Sequence, residues 1–452
     1  MAVKFIPIDR DTPHLFPPSV QDYLPEDHLA RFVVDIVDRL DLSALTSSYA
    51  GRGSQPYHPA LMVALLFYGY ATGTFSSRKL EKASYDSIAY RYICANTHPD
   101  HDSICAFRKR FLKALEGLFV EILVLAKELG SLKVGTVSLD GTKIKANASK
   151  HKALSWKYAK ALEKQLREEV EELMRLAEAA DNSELPEELD IPEELRRREA
   201  RLAAIERAKQ EIAARAEERH AEEQAAYEAK MARRKQREEE TGKKPGGRPP
   251  TPPQGGPRDT DQINLTDEES RIMPGSGGGF EQSYNAQASV DIDSGMIMTR
   301  HISQQTNDKQ EVIPSLSQLA AQEEVLGKVE NLLGDAGYFS ADNVKATVAQ
   351  EIRPLFSTHR ESHNVPLMER FAQAADQQDY ADPVEEMKHR LQTREGKALY
   401  AKRKSTIEPA FGLIKHVQGF RQFLLRGVEA VQGEWNLVCI GYNLKRMHEL
   451  GC

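Results

Sequence analysis

Three acidic residues far apart in the chain stand where phosphodiester chemistry would need them. The first is Asp140, in the stretch Val134–Asn147, Val-Gly-Thr-Val-Ser-Leu-Asp-Gly-Thr-Lys-Ile-Lys-Ala-Asn. Val134, Val137 and Leu139 suit a buried strand that ends at the carboxylate, and Gly141 leaves its approach open. Lys143 and Lys145 flank Ile144, where the strand pattern resumes. The second is Asp335, in Gly334-Asp-Ala-Gly-Tyr338 at the end of a strand over 329–335. The third is Glu408, on a helix over 402–416. Three hard oxygen donors suit Mg²⁺ or Mn²⁺, with substrate phosphate and water as the remaining ligands. Two such ions about 4 Å apart activate the attacking oxygen and stabilise the leaving one. Each acid also has an ordinary explanation. Asp140 and Asp335 fit Gly-flanked turns, and Glu408 fits a first-turn acid favoured by the helix dipole. The basic surroundings favour the chemistry. Arg403 and Lys404 precede Glu408, and Lys415 follows it at a spacing of two helical turns. Arg421 and Arg426 lie in the following Gly419–Gly427 stretch.

For these acids to meet, their strands must be neighbours in one sheet and a helix must cross its edge. From Tyr284 the apolar period becomes two. The pattern predicts strands over 284–291 and 296–303 joined as a hairpin at Asp291–Gly295. A helix over 308–321, the strand at 329–335, a helix over 340–350 and a short strand at 352–356 follow. Helices over 387–399, 402–416 and 434–450 close the chain. This order implies an α/β fold around a mixed sheet.

Ahead of it, residues 1–130 read as helical. Pro25-Glu-Asp-His28 starts a helix carrying Leu29, Phe32, Val33, Ile36, Val37 and Leu40. Helices over 59–70, 76–83 and 88–94 precede a loop at 96–102, and a basic helix begins at Ser103. Short helix, turn, basic helix is the layout of a DNA-reading module. The candidate DNA contacts are Arg78, Lys79, Arg108, Lys109 and Arg110; an ordinary bundle with a solvated basic face is the alternative. Cys94, His98, His101 and Cys105 lie close together, but their spacing fits no common structural zinc pattern.

The formal net charge of −7 argues against nucleic-acid binding only if the charge is evenly spread. It is not. Residues 154–240 form two highly charged helices with thin apolar stripes, holding acidic runs such as Glu168-Glu-Val-Glu-Glu172. They read as a helical hairpin or coiled coil, whether for pairing with another chain, clamping DNA or filling an insertion. The Gly/Pro-rich 241–280 reads as a flexible linker. No run of about 18 apolar residues suggests a membrane span. The first residues lack a signal-peptide core, and four scattered cysteines suggest a reducing compartment.

Together these stretches resemble the DDE transposases of bacterial insertion sequences, in the IS5/IS1182-like group. The resemblance rests on Pro99-Asp-His-Asp102 with Phe107-Arg108, Leu139–Asn147, Tyr284-Asn-Ala-Gln287, Gly334–Tyr338 and Glu408-Pro-Ala-Phe-Gly-Leu-Ile-Lys415. It implies an RNase H-like catalytic domain, split into 131–153 and 281–452, with Asp140, Asp335 and Glu408 as catalytic metal ligands. It implies terminal inverted repeats as the DNA substrate. It also implies a C-terminal signature of Tyr400, Arg403, Glu408 and Lys415, although Arg403 lies one residue farther from Glu408 than that pattern usually has. The expected protein is a cytoplasmic, nucleoid-associated bacterial enzyme that uses Mg²⁺, with Mn²⁺ as a substitute. It would cleave element ends, join them to target DNA and act as a homodimer on DNA. A nuclease without strand transfer and an inactive DNA-binding regulator are the competing expectations.

Overall fold

The computed structural model describes residues 19–49, 56–179, 191–242, 246–275, 278–358 and 380–452. The chain divides into two compact units, residues 1–144 with 284–452 and residues 145–283.

The first unit opens with helices α1 (Leu29–Val37), α2 (Ser43–Thr46), α3 (Pro59–Ala71), α4 (Ser77–Asp86), α5 (Ile88–Ile93) and α6 (His101–Glu128). His28 caps α1, its ring nitrogen accepting from the Ala30 amide. Helix α3 is apolar all round and is buried nearly all round. Helix α6 starts two residues before the expected Ser103 because Asp100 caps it, accepting from Ser103 N at 2.8 Å. Its Ile104, Phe107, Phe111 and Leu115 are buried. Strand β1 (Thr136–Lys145) follows, placing Asp140 in mid-strand rather than at its end.

The second unit contains β2 (Ala153–Ser155), α7 (Trp156–Ala179), α8 (Ile191–Thr241), β3 (Gln262–Asn264) and β4 (Arg271–Pro274). Leu162 and Leu166 of α7 pack on Ile205, Ala208 and Ile212 of α8, closed by Leu154 and Ile263. The ion pairs Glu163–Lys209 and Glu169–Arg198 show that the two helices run antiparallel. The expected break between them falls largely on 180–190, outside the described residues. The expected linker over 241–280 is corrected in part. Strand β3 pairs antiparallel with β2, and β4 with the start of β5 (Phe280–Asp291). Strands of three and four residues leave too little alternation to be recognised beforehand.

The first unit resumes within β5 and continues through β6 (Ile297–Ser303), α9 (Val312–Leu326), β7 (Asn331–Gly334), α10 (Ala341–Ala349) and β8 (Arg353–Phe356). It ends with α11 (Pro383–Arg390), α12 (Arg394–Ala401), α13 (Ile407–Gly412) and α14 (Val428–Glu449). In the sheet β6 pairs β5, and the order then runs β5, β1, β7, β8. Strands β5 and β6 are antiparallel, while β1–β7 and β7–β8 are parallel. The fold is therefore mixed α/β, as the element order implied. Helix α14 runs through the core, where Trp435, Leu437, Cys439, Ile440 and Leu444 are fully buried. Each large apolar side chain so buried contributes roughly 1.5–3 kcal/mol.

Candidate active site

The site begins with strand register. Strands β1 and β7 pair in parallel, with Ser138 opposite Leu333. Two residues further along the same register Asp140 lies level with Asp335. Both acids are fixed by the backbone next to them. Asp140 Oδ1 accepts from Gly141 N, and Asp335 Oδ1 accepts from Gly337 N, each at 2.8 Å. The glycines are required by space. A Cβ on Gly337 would sit 2.9 Å from Asp335 Oδ1. One on Gly141 would collide with the Gln287 side-chain amide.

Glu408 reaches the same neighbourhood through Arg403. The Arg403 guanidinium lies 3.3 Å from Asp140 Oδ2 and 3.8 Å from Glu408 Oε1. Its side chain is only 9% exposed, against 56% for Glu408. Lys404 is exposed. Arg403 is thus a basic partner of two of the acids, despite the extra residue before Glu408. The single helix expected over 402–416 is instead a turn, the short α13 and a π-helical turn at Leu413–Val417. Lys415 lies on that π turn and donates to the Lys143 carbonyl at 2.9 Å. Lys143 Nζ in turn lies 3.3 Å from Asp308.

Burial pushes the Asp140 carboxyl up to about 6; the Gly141 amide and Arg403 pull it down, and Asp335 and Asp308 add to the rise. Burial lowers Lys415, with Lys143 adding to the shift. Tyr400, then Asp140, Asp335 and Glu408, raise the Arg403 guanidinium against the lowering effect of burial.

The donor chemistry fits a divalent ion. The acids are hard oxygen donors, desolvated and mutually repelling at Asp140. Among the described residues, no three of His, Cys, Asp and Glu already stand close enough to enclose an ion. Arg403 occupies the place between Asp140 and Glu408.

The expected DNA contacts separate into two groups. Arg78, Lys79, Lys109, Arg110, Lys145, Lys404, Arg421 and Arg426 are exposed. Arg110 is also anchored, donating to Ser48 O at 2.7 Å, and Arg421 donates to Lys415 O. Lys145 pairs with Glu281 at 3.2 Å. Arg108 is a correction. It is 5% exposed, and its Nη1 donates to Tyr70 Oη at 3.2 Å and Phe75 O at 3.0 Å. Tyr70 Oη in turn donates to the buried Glu434. A guanidinium committed to that interior network is not a surface for DNA. His98 stacks on Tyr85, and His101 pairs with Glu81 at 2.7 Å.

Sequence reasoning passed over Asp308 by placing it at the start of a helix. Helix α9 begins at Val312, and Asp308 lies in the loop before it. A usable signal was present. Asn285 and Gln287 share one face of a period-two strand, and both donate to Asp308 Oδ1 at 2.8 Å.

Two protein families match the chain. A transposase domain matches residues 18–110, and a transposase DDE domain matches residues 370–448. Both matches are to transposase families, and the C-terminal one is to a DDE domain. The matches are consistent with the IS1182-like group. They cover the N-terminal helices and the C-terminal segment carrying Arg403, Glu408 and Lys415. No curated protein and no solved structure matches the chain. No helix among the described residues is long and apolar enough to cross a membrane.

Proposed function

We propose that the chain is a divalent-metal-dependent DNA transposase. It binds the terminal inverted repeats of its element, cleaves DNA at the element ends and transfers the freed strand to target DNA. Asp140, Asp335 and Glu408 hold Mg²⁺, or Mn²⁺ in its place. The observation that carries this reading is the placement of Asp140 on β1 level with Asp335 just past the end of the adjacent parallel β7, with Arg403 linking Asp140 to Glu408. The sheet order supports an RNase H-like catalytic domain. Counted along the first unit, its strands lie in the order 3-2-1-4-5. We assign residues 1–130 to DNA binding, 131–153 and 281–452 to the catalytic domain, and 154–280 to an insertion.

The bound ions supply charge stabilisation at the attacking and leaving oxygens. The chain's own residues do the rest. Gly141 N and Gly337 N hold the two aspartates in fixed orientations. Arg403 balances their charge from within the fold, and Lys415 and Lys143 add positive charge beside the strand, suited to a phosphate. In the first reaction water displaces the 3′ oxygen at the element end, leaving a 3′-hydroxyl. In the second, that hydroxyl displaces an oxygen at a target phosphodiester and the strands are joined. Two ends must be held together, so the active form is a dimer on DNA, working in the bacterial cytoplasm at the nucleoid.

The test is incubation of the full chain and Mg²⁺ with duplexes carrying the DNA that flanks its coding sequence, plus a target plasmid. Cleaved ends and joined products are expected. Cleavage without joining would favour a nuclease, and metal-independent binding without products an inactive regulator.

A further inference from the structure

Asp308 is fixed as firmly as any side chain near the site. Its Oδ1 accepts from Asn285 Nδ2 and Gln287 Nε2, both at 2.8 Å, and from Lys143 Nζ at 3.3 Å. The donors are themselves anchored. Asn285 Nδ2 also donates to Gln305 O, and Gln287 Oε1 accepts from Tyr338 Oη at 2.5 Å. The Trp435 indole closes the arrangement by donating to Gln287 O. Tyr338 follows Asp335 by three residues, so the network joins the loop of Asp308 to the loop of Asp335.

Three donors on one oxygen leave the other open: among the described residues no hydrogen bond to Asp308 Oδ2 is seen, and the side chain is 26% exposed. A Cβ built on Gly337 would meet Asp335 Oδ1 at 2.9 Å and Asp308 Oδ2 at 3.7 Å. A Cβ built on Gly141, beside Asp140, would meet Asp308 Oδ1 at 2.9 Å. Asp308 therefore borders both glycine-lined approaches to the two aspartates. A second observation is independent of the acids. Asn285 is fully buried and among the described residues its side-chain oxygen has no hydrogen-bond partner, although its nitrogen holds Asp308. A buried oxygen acceptor left open in this position is a cost that a ligand would remove.

We propose that Asp308 is a fourth carboxylate of the metal-binding cluster, with Oδ1 fixing the side chain and Oδ2 offered to a divalent ion held with Asp140 and Asp335. This rests on the reading of Asp140 and Asp335 as metal-holding residues. The Tyr284-Asn-Ala-Gln287 stretch then acquires a role. Its two amides position an acid that neither family match covers.

The test is Mn²⁺ binding to the full chain without DNA, measured by titration calorimetry. The Asp308→Asn variant keeps the shape and one oxygen for the three donors but removes the charge. It should bind Mn²⁺ at least about tenfold more weakly than the parent chain. Asp140→Asn is the control for the underlying reading and should abolish binding. Loss in Asp140→Asn with unchanged affinity in Asp308→Asn overturns the fourth acid alone. Unchanged affinity in Asp140→Asn overturns the underlying reading and this inference with it. A second measurement needs no variant. The unaltered chain is loaded with Fe²⁺ and treated with ascorbate and peroxide, which cuts backbone close to the ion. Cuts at 306–310 together with cuts near 140 and 335 support the proposal. Cuts near 140 and 335 alone overturn it.

Discussion

Asp140 is held in a place that disfavours its charge. Burial raises its carboxyl from the ordinary 3.8 to about 6. The folded state thus binds this proton more tightly than the unfolded state. The associated stability is complete below pH about 4 and is lost as the pH rises through about 6. Asp140→Asn should therefore stabilise the metal-free chain well above pH 6, by roughly 3 kcal/mol at 1.36 kcal/mol per unit of pKa. The gain should vanish toward pH 4. Thermal melts across that range would check it, and a gain independent of pH would contradict it. At this scale Asp140, Asp335 and Glu408 could be singled out from their residue type, flanking glycines and basic neighbours. Asp308 was not, because its meaning depends on two amides more than twenty residues earlier, brought opposite it by the β5–β6 hairpin.

The helices were legible where their apolar stripes were regular, and their boundaries were legible where a cap was. Arg108 shows where that reading stopped. Along α6 it looks like part of a basic face with Lys109 and Arg110. The partner that keeps it inside is Glu434 on α14, reached through Tyr70 on α3. No local pattern contains that information. Burial pushes the Glu434 carboxyl up, with Arg108 opposing the shift. Arg108→Met should destabilise the fold by about 3 kcal/mol or more, because it leaves Glu434 and Tyr70 buried without their cation. Exposed Arg78→Ala should change stability by less than about 0.5 kcal/mol. Urea unfolding of the two variants would check the contrast, and equal small effects would contradict the interior role of Arg108. The helix ahead of Lys415 failed differently. Its π turn inserts extra backbone, so counting two regular turns from Glu408 does not locate the lysine.

At the scale of the molecule, the alternation of helices and strands implied a mixed sheet, and the charge shift after residue 154 marked a segment of different character. The short strands β2 to β4 were hidden in what looked like linker. The second unit has its own apolar core from Leu154 to Ile263. The first unit is left at β1 and re-entered at β5, which are neighbours in its sheet. Replacing residues 148–278 by a short Gly-Ser linker should therefore leave a first unit that still unfolds cooperatively by calorimetry. Loss of that transition would mean the sheet depends on the insertion. The central claim is that Asp140, Asp335 and Glu408 act together on phosphodiesters. Its most direct measurement is single-turnover cleavage of element-end DNA by Asp140→Asn, Asp335→Asn and Glu408→Gln, with DNA affinity measured alongside. Each variant should bind the DNA and cut it at least about 10³-fold more slowly, as expected when one member of a cooperating catalytic set is removed. Undiminished cutting by all three would contradict the account.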